Sequence, residues 1–107
     1  MIDYTYSFIG YLAQDLVLTA PLLVGMLALI LVLGLLIGRL EGWSILDSIY
    51  HAMIAATTVG YGDFRPSHPV SKLLAIVLAF TGIVFTGLLV ALCIHAAQLT
   101  FDLYDRT

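Results

Sequence analysis

Charge is what this chain has least of. Lys and Arg together number 4 and Asp and Glu 7, so charged residues make up 10% of its 107, where a soluble domain carries about 25%. No basic tract exists, and the formal net charge is −3. That excludes the electrostatic footprint of a nucleic-acid-binding protein, and no nucleic-acid partner is expected. A single cysteine, Cys93, excludes an intrachain disulfide and any cysteine-cluster metal site; the thiol reads as a small apolar side chain. The first fifteen residues contain no Lys or Arg and so lack the basic opening of a cleaved signal peptide. Ser, His and Asp occur in no spacing that points to catalysis, so no enzyme and no catalytic residue is expected.

What is present is apolar. Hydrophobic residues make up 62% of the chain and the mean hydropathy is +1.08. A chain this short cannot bury so much apolar surface in one core, which leaves lipid as the solvent. Residues 16–37 form 22 positions without a charge, roughly 33 Å as a helix and enough to cross a hydrocarbon core. Pro21 is placed near the start of that helix, where a missing N–H is tolerated. The stretch 1–15 mixes Tyr4, Tyr6, Phe8 and Tyr11 with polar residues, which reads equally as a short interfacial helix or as a frayed first turn of the next helix. Gly38-Arg39-Leu40-Glu41-Gly42 breaks the run as a short polar turn, and Trp43 follows at interfacial depth.

Residues 44–57 are helical in pattern but too short to span. Ser44-x-x-Asp47 matches a capping box at their start, so this is a re-entrant helix. Residues 58–62 hold two glycines in three positions and cannot continue it. After a turn-rich stretch with Pro66 and Pro69, residues 73–97 give 25 positions without a formal charge, about 37 Å long and so tilted or protruding. Residues 98–107 form a polar tail. In the second span Ala75 and Ala79, and Gly87 and Ala91, are four apart and permit close helix packing.

Thr57-Thr58-Val59-Gly60-Tyr61-Gly62-Asp63 resembles the signature of the potassium channel family. The resemblance runs from Trp43 through the second span, over half the chain; the first span matches only as a generic apolar helix. It implies an all-α membrane protein with two transmembrane helices, a re-entrant pore helix and a selectivity-filter loop, assembled as a fourfold homotetramer. It further implies passive conduction of K⁺ across the plasma membrane, both termini cytoplasmic, with K⁺ ions in the filter and no organic cofactor. The chemistry behind the motif is general to potassium channels: backbone carbonyls replace the hydration shell of the ion. Carbonyls that all face one axis need left-handed residues between right-handed ones, which glycine supplies. The resemblance implies that Thr58, Val59, Gly60, Tyr61 and Gly62 are the ion-binding residues. The C-terminus of the pore helix near Thr57 aims its negative dipole end at the same place.

The resemblance places other residues by a gapless count from Gly62. Gly82 falls at the gating hinge of the inner helix, with close helix approach as the bland alternative and Gly87 as a second candidate. Thr57, Ile83, Thr86, Val90 and Ile94 line the cavity below the filter. Asp63 and Arg65 stand at the outer mouth, and Tyr50 supports the filter from the position where the family often supplies the donor to Asp63. Many family members carry a glutamate behind the filter where this chain has Ile54, so no carboxyl pair forms there and the bracing must differ. An arginine ring at position 65 should repel external tetraethylammonium. His95, near the inner end of the second span, is a candidate pH sensor, though such a histidine more often marks the membrane interface.

Against the potassium-selective reading stand a nonselective cation channel of the same architecture, whose relatives usually break the filter Tyr, a transporter subunit, which resembles four fused and degraded units, and a structural membrane protein. Arg39, Arg65 and Lys72 all lie in the central loop region, which the positive-inside rule would place in the cytoplasm; the filter motif is far more specific and puts it outside. No arginine-rich voltage-sensing helix is present. The expected partners are three further copies of the chain, membrane lipid, and a cytoplasmic regulatory domain of the kind the family often carries beyond the inner helix.

Overall fold

The computed structural model describes residues 2–60 and 62–105. Among them the chain forms three helices and no strand: α1 (Ile2–Glu41), α2 (Ile45–Ala56) and α3 (Pro69–Asp105). α1 has 40 residues and α3 has 37, so at about 1.5 Å per residue each is far longer than a hydrocarbon core of about 30 Å. The molecule measures 59 × 25 × 20 Å.

α1 extends past the uncharged run at both ends, and at the N-terminal end residues 2–15 belong to the helix that follows them, the second of the two readings of that stretch. From Ile2 onward the aromatic N-terminal stretch is part of the same helix as the apolar run. Pro21 is consequently an interior residue of α1, where it leaves the Val17 carbonyl without its usual intrahelical donor. At the other end the helix passes through Gly38 and Arg39 and stops only at Glu41. Gly42, at φ +75°, takes the left-handed position after the helix, and the Trp43 N–H donates back to the Gly38 carbonyl at 2.8 Å. That is a Schellman ending.

α3 likewise starts four residues before the uncharged run. Pro69 sits at its first position, where no N–H is needed. His68 caps it: its Nδ1 accepts from Val70 N at 3.3 Å and its carbonyl from Lys72 N at 3.0 Å. The Glu41 carboxylate reaches the same place from the end of α1, accepting from the Ser67 and His68 backbone N–H groups and from the Ser67 hydroxyl. These hydrogen bonds, the Ser67 backbone bond first, hold the Glu41 carboxyl below its ordinary 4.5.

A carboxyl depressed in the folded state contributes stability that is fully present above its unfolded value and is lost as pH falls through the folded one. Acidification below about pH 4.5 is therefore expected to weaken this latch. Glu41→Gln should lower the thermal midpoint at neutral pH, and its deficit relative to wild type should shrink as the pH is lowered. A deficit of the same size at pH 7 and at pH 3 would show that the carboxylate charge is not what the latch uses.

α1 and α3 run antiparallel. Tyr4 near the start of α1 packs on Phe101 and Tyr104 near the end of α3, with ring centroids 5.4 and 6.0 Å apart. Asp15, buried, meets His95 Nδ1 at 2.7 Å. α2 lies against both helices in the half of the molecule nearer the Glu41 latch. Its contact face is small: Ser48, Ala52 and Ala56, four apart and all buried. On α1 the facing residues are Gly34 and Gly38, whose Cα hydrogens point at Ala52 and Ser48. Around them Ile30, Leu33, Ile37 and Leu78 complete the buried core, with Trp43, Leu74, Ala75 and Phe85 packed on its rim. The rest of both long helices is apolar and exposed, as at Leu22, Val24, Val77 and Val84, which is the surface a lipid-facing helix presents.

Candidate functional site

The short helix α2 is started by its predicted cap. Ser44 has extended backbone and its Oγ accepts from Asp47 N at 3.1 Å. Its other end passes directly into the glycine loop. The Thr58 N–H donates to the Ala55 carbonyl at 3.2 Å and the Val59 N–H to the Ile54 carbonyl at 3.1 Å. This is again a Schellman pair, with Thr58 in the left-handed position at φ +67°. Gly60 then donates to the same Ile54 carbonyl at 3.3 Å. The first turns of the loop are thus bonded onto the last turn of the helix.

Positive φ recurs at alternate residues: Thr58 at +67°, Gly60 at +58° and Gly62 at +78°. The two glycines take the conformation that the sequence reading asked of them. Thr58 does so without the freedom of glycine, at a cost on the order of 1–2 kcal/mol; nothing in the sequence marked it. Tyr61, an expected ion-binding residue, lies outside the described residues. Val59 is exposed within the single chain.

Behind the loop is an aromatic cuff. Phe64 sits edge-on to Trp43 at 5.3 Å and to Tyr50 at 6.0 Å, and His51 edge-on to Trp43 at 5.0 Å. A cavity of about 150 Å³ lies between cuff and loop, lined by His51, Ile54, Ala55, Gly60, Gly62, Asp63 and Phe64. Ile54 is among its lining residues, and its backbone carbonyl accepts from the Val59 and Gly60 N–H groups. His51 Nδ1 is buried with no hydrogen-bond partner among the described residues. A larger hollow, about 460 Å³, follows α1 at Ala13, Gln14, Val17 and Leu18; it is apolar helix surface with no chemistry of its own.

The structure brings some of the sequence-derived residues together and leaves others apart. Thr57 Oγ1 donates to the Met53 carbonyl at 2.7 Å, and Thr86 Oγ1 donates across from α3 to the Ala56 carbonyl at 2.9 Å. Gly82 is buried where Ala56 crosses α3; a Cβ there would lie 2.3 Å from Ala56 Cα. The close approach set beside the hinge in the sequence reading is therefore present, and α3 is continuously helical through this point. Gly87 faces open space. Ile83, Val90 and Ile94 are exposed on α3, at spacings of seven and four that put them on one face. Asp63 Oδ1 accepts from Phe64 N at 3.2 Å. Arg65 Nε donates to the Gly62 carbonyl at 2.9 Å. His95 has found Asp15, a partner 80 residues away.

Comparison with known proteins agrees with this arrangement. Residues 25–98 match a family described as ion channel. The chain belongs to the ion channel family. The matched segment takes in α2, the glycine loop and most of α3, and begins midway along α1. With two helices long and apolar enough to cross a bilayer, this ion channel family member is a membrane protein and not an enzyme.

Among curated proteins it is similar to "Two pore potassium channel a" of Oryza sativa subsp. japonica, 38% identical over 71% of this chain and 22% of that protein. It is also similar to "Potassium channel protein 1" of Methanocaldococcus jannaschii, 36% identical over 51% of this chain and 16% of that one. A third is the "Voltage-gated potassium channel" of Aeropyrum pernix, 43% identical over 44% of this chain and 16% of that one. The matches thus span about a fifth or less of the length of these relatives. No solved structure matches the chain.

Proposed function

We propose that four copies of this chain form a passive, potassium-selective pore in the plasma membrane, both termini cytoplasmic, with Thr58 to Gly62 as its filter. The observation that carries the reading is the alternating left-handed backbone at Thr58, Gly60 and Gly62, bonded onto the end of a short helix. Alternation of this kind lets successive carbonyls face one axis, and a ring of such oxygens replaces the water shell of a monovalent cation. Non-helical backbone at membrane depth is tolerated where it lines a polar path. The C-terminal dipole end of α2 places partial negative charge beside it. The three relatives named above are all called potassium channels, and the intact Tyr61 favours selectivity over a nonselective pore.

In this reading residues 16–37 and 73–97 are the parts of α1 and α3 within lipid, residues 44–57 the pore helix and residues 98–107 the cytoplasmic tail. Asp63 and Arg65 set the charge at the outer mouth. Thr57, Ile83, Thr86, Val90 and Ile94 surround the ion below the filter. The remaining partners are three further copies and lipid.

The test is ion flux in liposomes holding the full chain, under a potassium gradient and then an equal sodium gradient, with and without barium. Flux with potassium alone, blocked by barium, is the expected result. Equal flux under both gradients would replace the reading with a nonselective cation pore.

A further inference from the structure

We propose that Arg65 is a built-in cation of the outermost oxygen ring, holding the Gly62 carbonyl that an entering K⁺ would otherwise use. The inference rests on the reading of residues 58–62 as a potassium filter and changes what its outer end does. Arg65 Nε donates to the Gly62 carbonyl at 2.9 Å. The rest of the guanidinium lies over Gly62 as well: Nε, Nη2 and Cζ come within 3.4, 3.6 and 3.9 Å of where a Cβ on that residue would stand. The Gly62 carbonyl thus faces the arginine three residues on, and the positive φ of Gly62, +78°, is one that a residue with a side chain rarely adopts.

No carboxylate among the described residues forms an ion pair with this arginine. Among the described residues the only ion pair joins His95 and Asp15. Asp63, the nearest carboxylate in sequence, accepts from the Phe64 backbone instead.

Two features fix the arginine in place. Phe64, just before it, is wedged between Trp43 and Tyr50. Ser67 and His68, just after it, are held by Glu41. The segment between these anchors is short and includes Pro66, so the base of the Arg65 side chain has little freedom.

A guanidinium cannot be deprotonated in a protein, so the positive charge is permanent. At the outer mouth it repels a second cation and already uses a lone pair of the carbonyl that cation would bind. Potassium arriving from outside therefore finds its first oxygen ring already engaged by Arg65. External K⁺ should saturate inward flux only at raised concentration, and external tetraethylammonium should block weakly.

The test uses the full chain in liposomes, as wild type, Arg65→Gln and Arg65→Lys. Arg65 is exposed, so all three should fold with the same thermal midpoint. In Arg65→Gln the external K⁺ concentration that half-saturates inward flux is expected to fall about tenfold, and the block by external tetraethylammonium to strengthen by a similar factor. Arg65→Lys keeps the charge but has no Nε to reach Gly62, and should fall between. The same shift should appear in the K⁺ concentration that raises the thermal midpoint, which needs no open gate. Arg65→Gln indistinguishable from wild type in both readouts would overturn the proposal. So would Arg65→Lys identical to wild type, because charge without the Gly62 bond would then suffice. A wild-type chain with neither K⁺-selective flux nor K⁺-dependent stabilisation would instead overturn the filter reading beneath it.

Discussion

Gly82→Ala is expected to prevent α2 from docking on α3. The added Cβ would stand 2.3 Å from Ala56 Cα and 2.8 Å from the Ala56 carbonyl oxygen, and both are backbone atoms that no rotamer change can move. Overpacking in a dense interior costs about 1–3 kcal/mol and sometimes more. Here the strain falls on the turn that leads into the glycine loop, so a loss of at least about 3 kcal/mol is expected, together with loss of the K⁺-dependent stabilisation that the proposed filter predicts. Thermal unfolding in detergent measures the first and titration with K⁺ the second. Gly87→Ala is the matched control. Its Cβ meets nothing within 4 Å, and alanine is the better helix former by roughly 1 kcal/mol, so this variant should be as stable as wild type or more so. If Gly87→Ala alters flux without altering stability, bending of α3 belongs at Gly87; a Gly82→Ala protein as stable as wild type would remove the steric argument.

The second large effect is expected at Gly38, and this one should be reversible. A Cβ on Gly38 would lie 1.6 Å from Ser48 Oγ and 2.6 Å from Ser48 Cβ, but 3.5 Å from Ser48 Cα. The clash is therefore with a side chain. Gly38→Ala alone should destabilise by about 3 kcal/mol. Combined with Ser48→Gly it should recover most of that loss, less the roughly 1 kcal/mol that glycine costs inside a helix. The cycle of single and double variants isolates the contact. A double variant no more stable than Gly38→Ala would mean that α1 and α2 do not meet through this pair. Ser48→Ala should not rescue, since it keeps the Cβ.

Composition and local pattern carried much of the architecture. The two uncharged runs, the cap at Ser44 and the paired glycines each act through residues close in sequence, and the structure has a helix, a cap and a left-handed turn at those places. Helix ends were harder to read, because Gly38 looks like a breaker until Ser48 is seen to require it. The Gly34-x-x-x-Gly38 spacing was the available signal for that contact. His95 showed only a histidine near a helix end; its partner Asp15 is 80 residues away, and no spacing rule links them. Thr58 gave no sign of its positive φ, because that angle is imposed by how α2 ends and not by the preference of threonine. The hydrogen bond from Arg65 to Gly62 likewise depends on where Glu41 and Phe64 hold the loop.

Ala56 is bound in two directions at once. Its carbonyl receives the Thr86 hydroxyl, its Cα fills the notch at Gly82, and two residues before it Ile54 holds the amides of Val59 and Gly60. On the proposed pore reading, the middle of α3 and residues 58–60 are joined through a single turn of α2, so a substitution that shifts one is expected to shift the other.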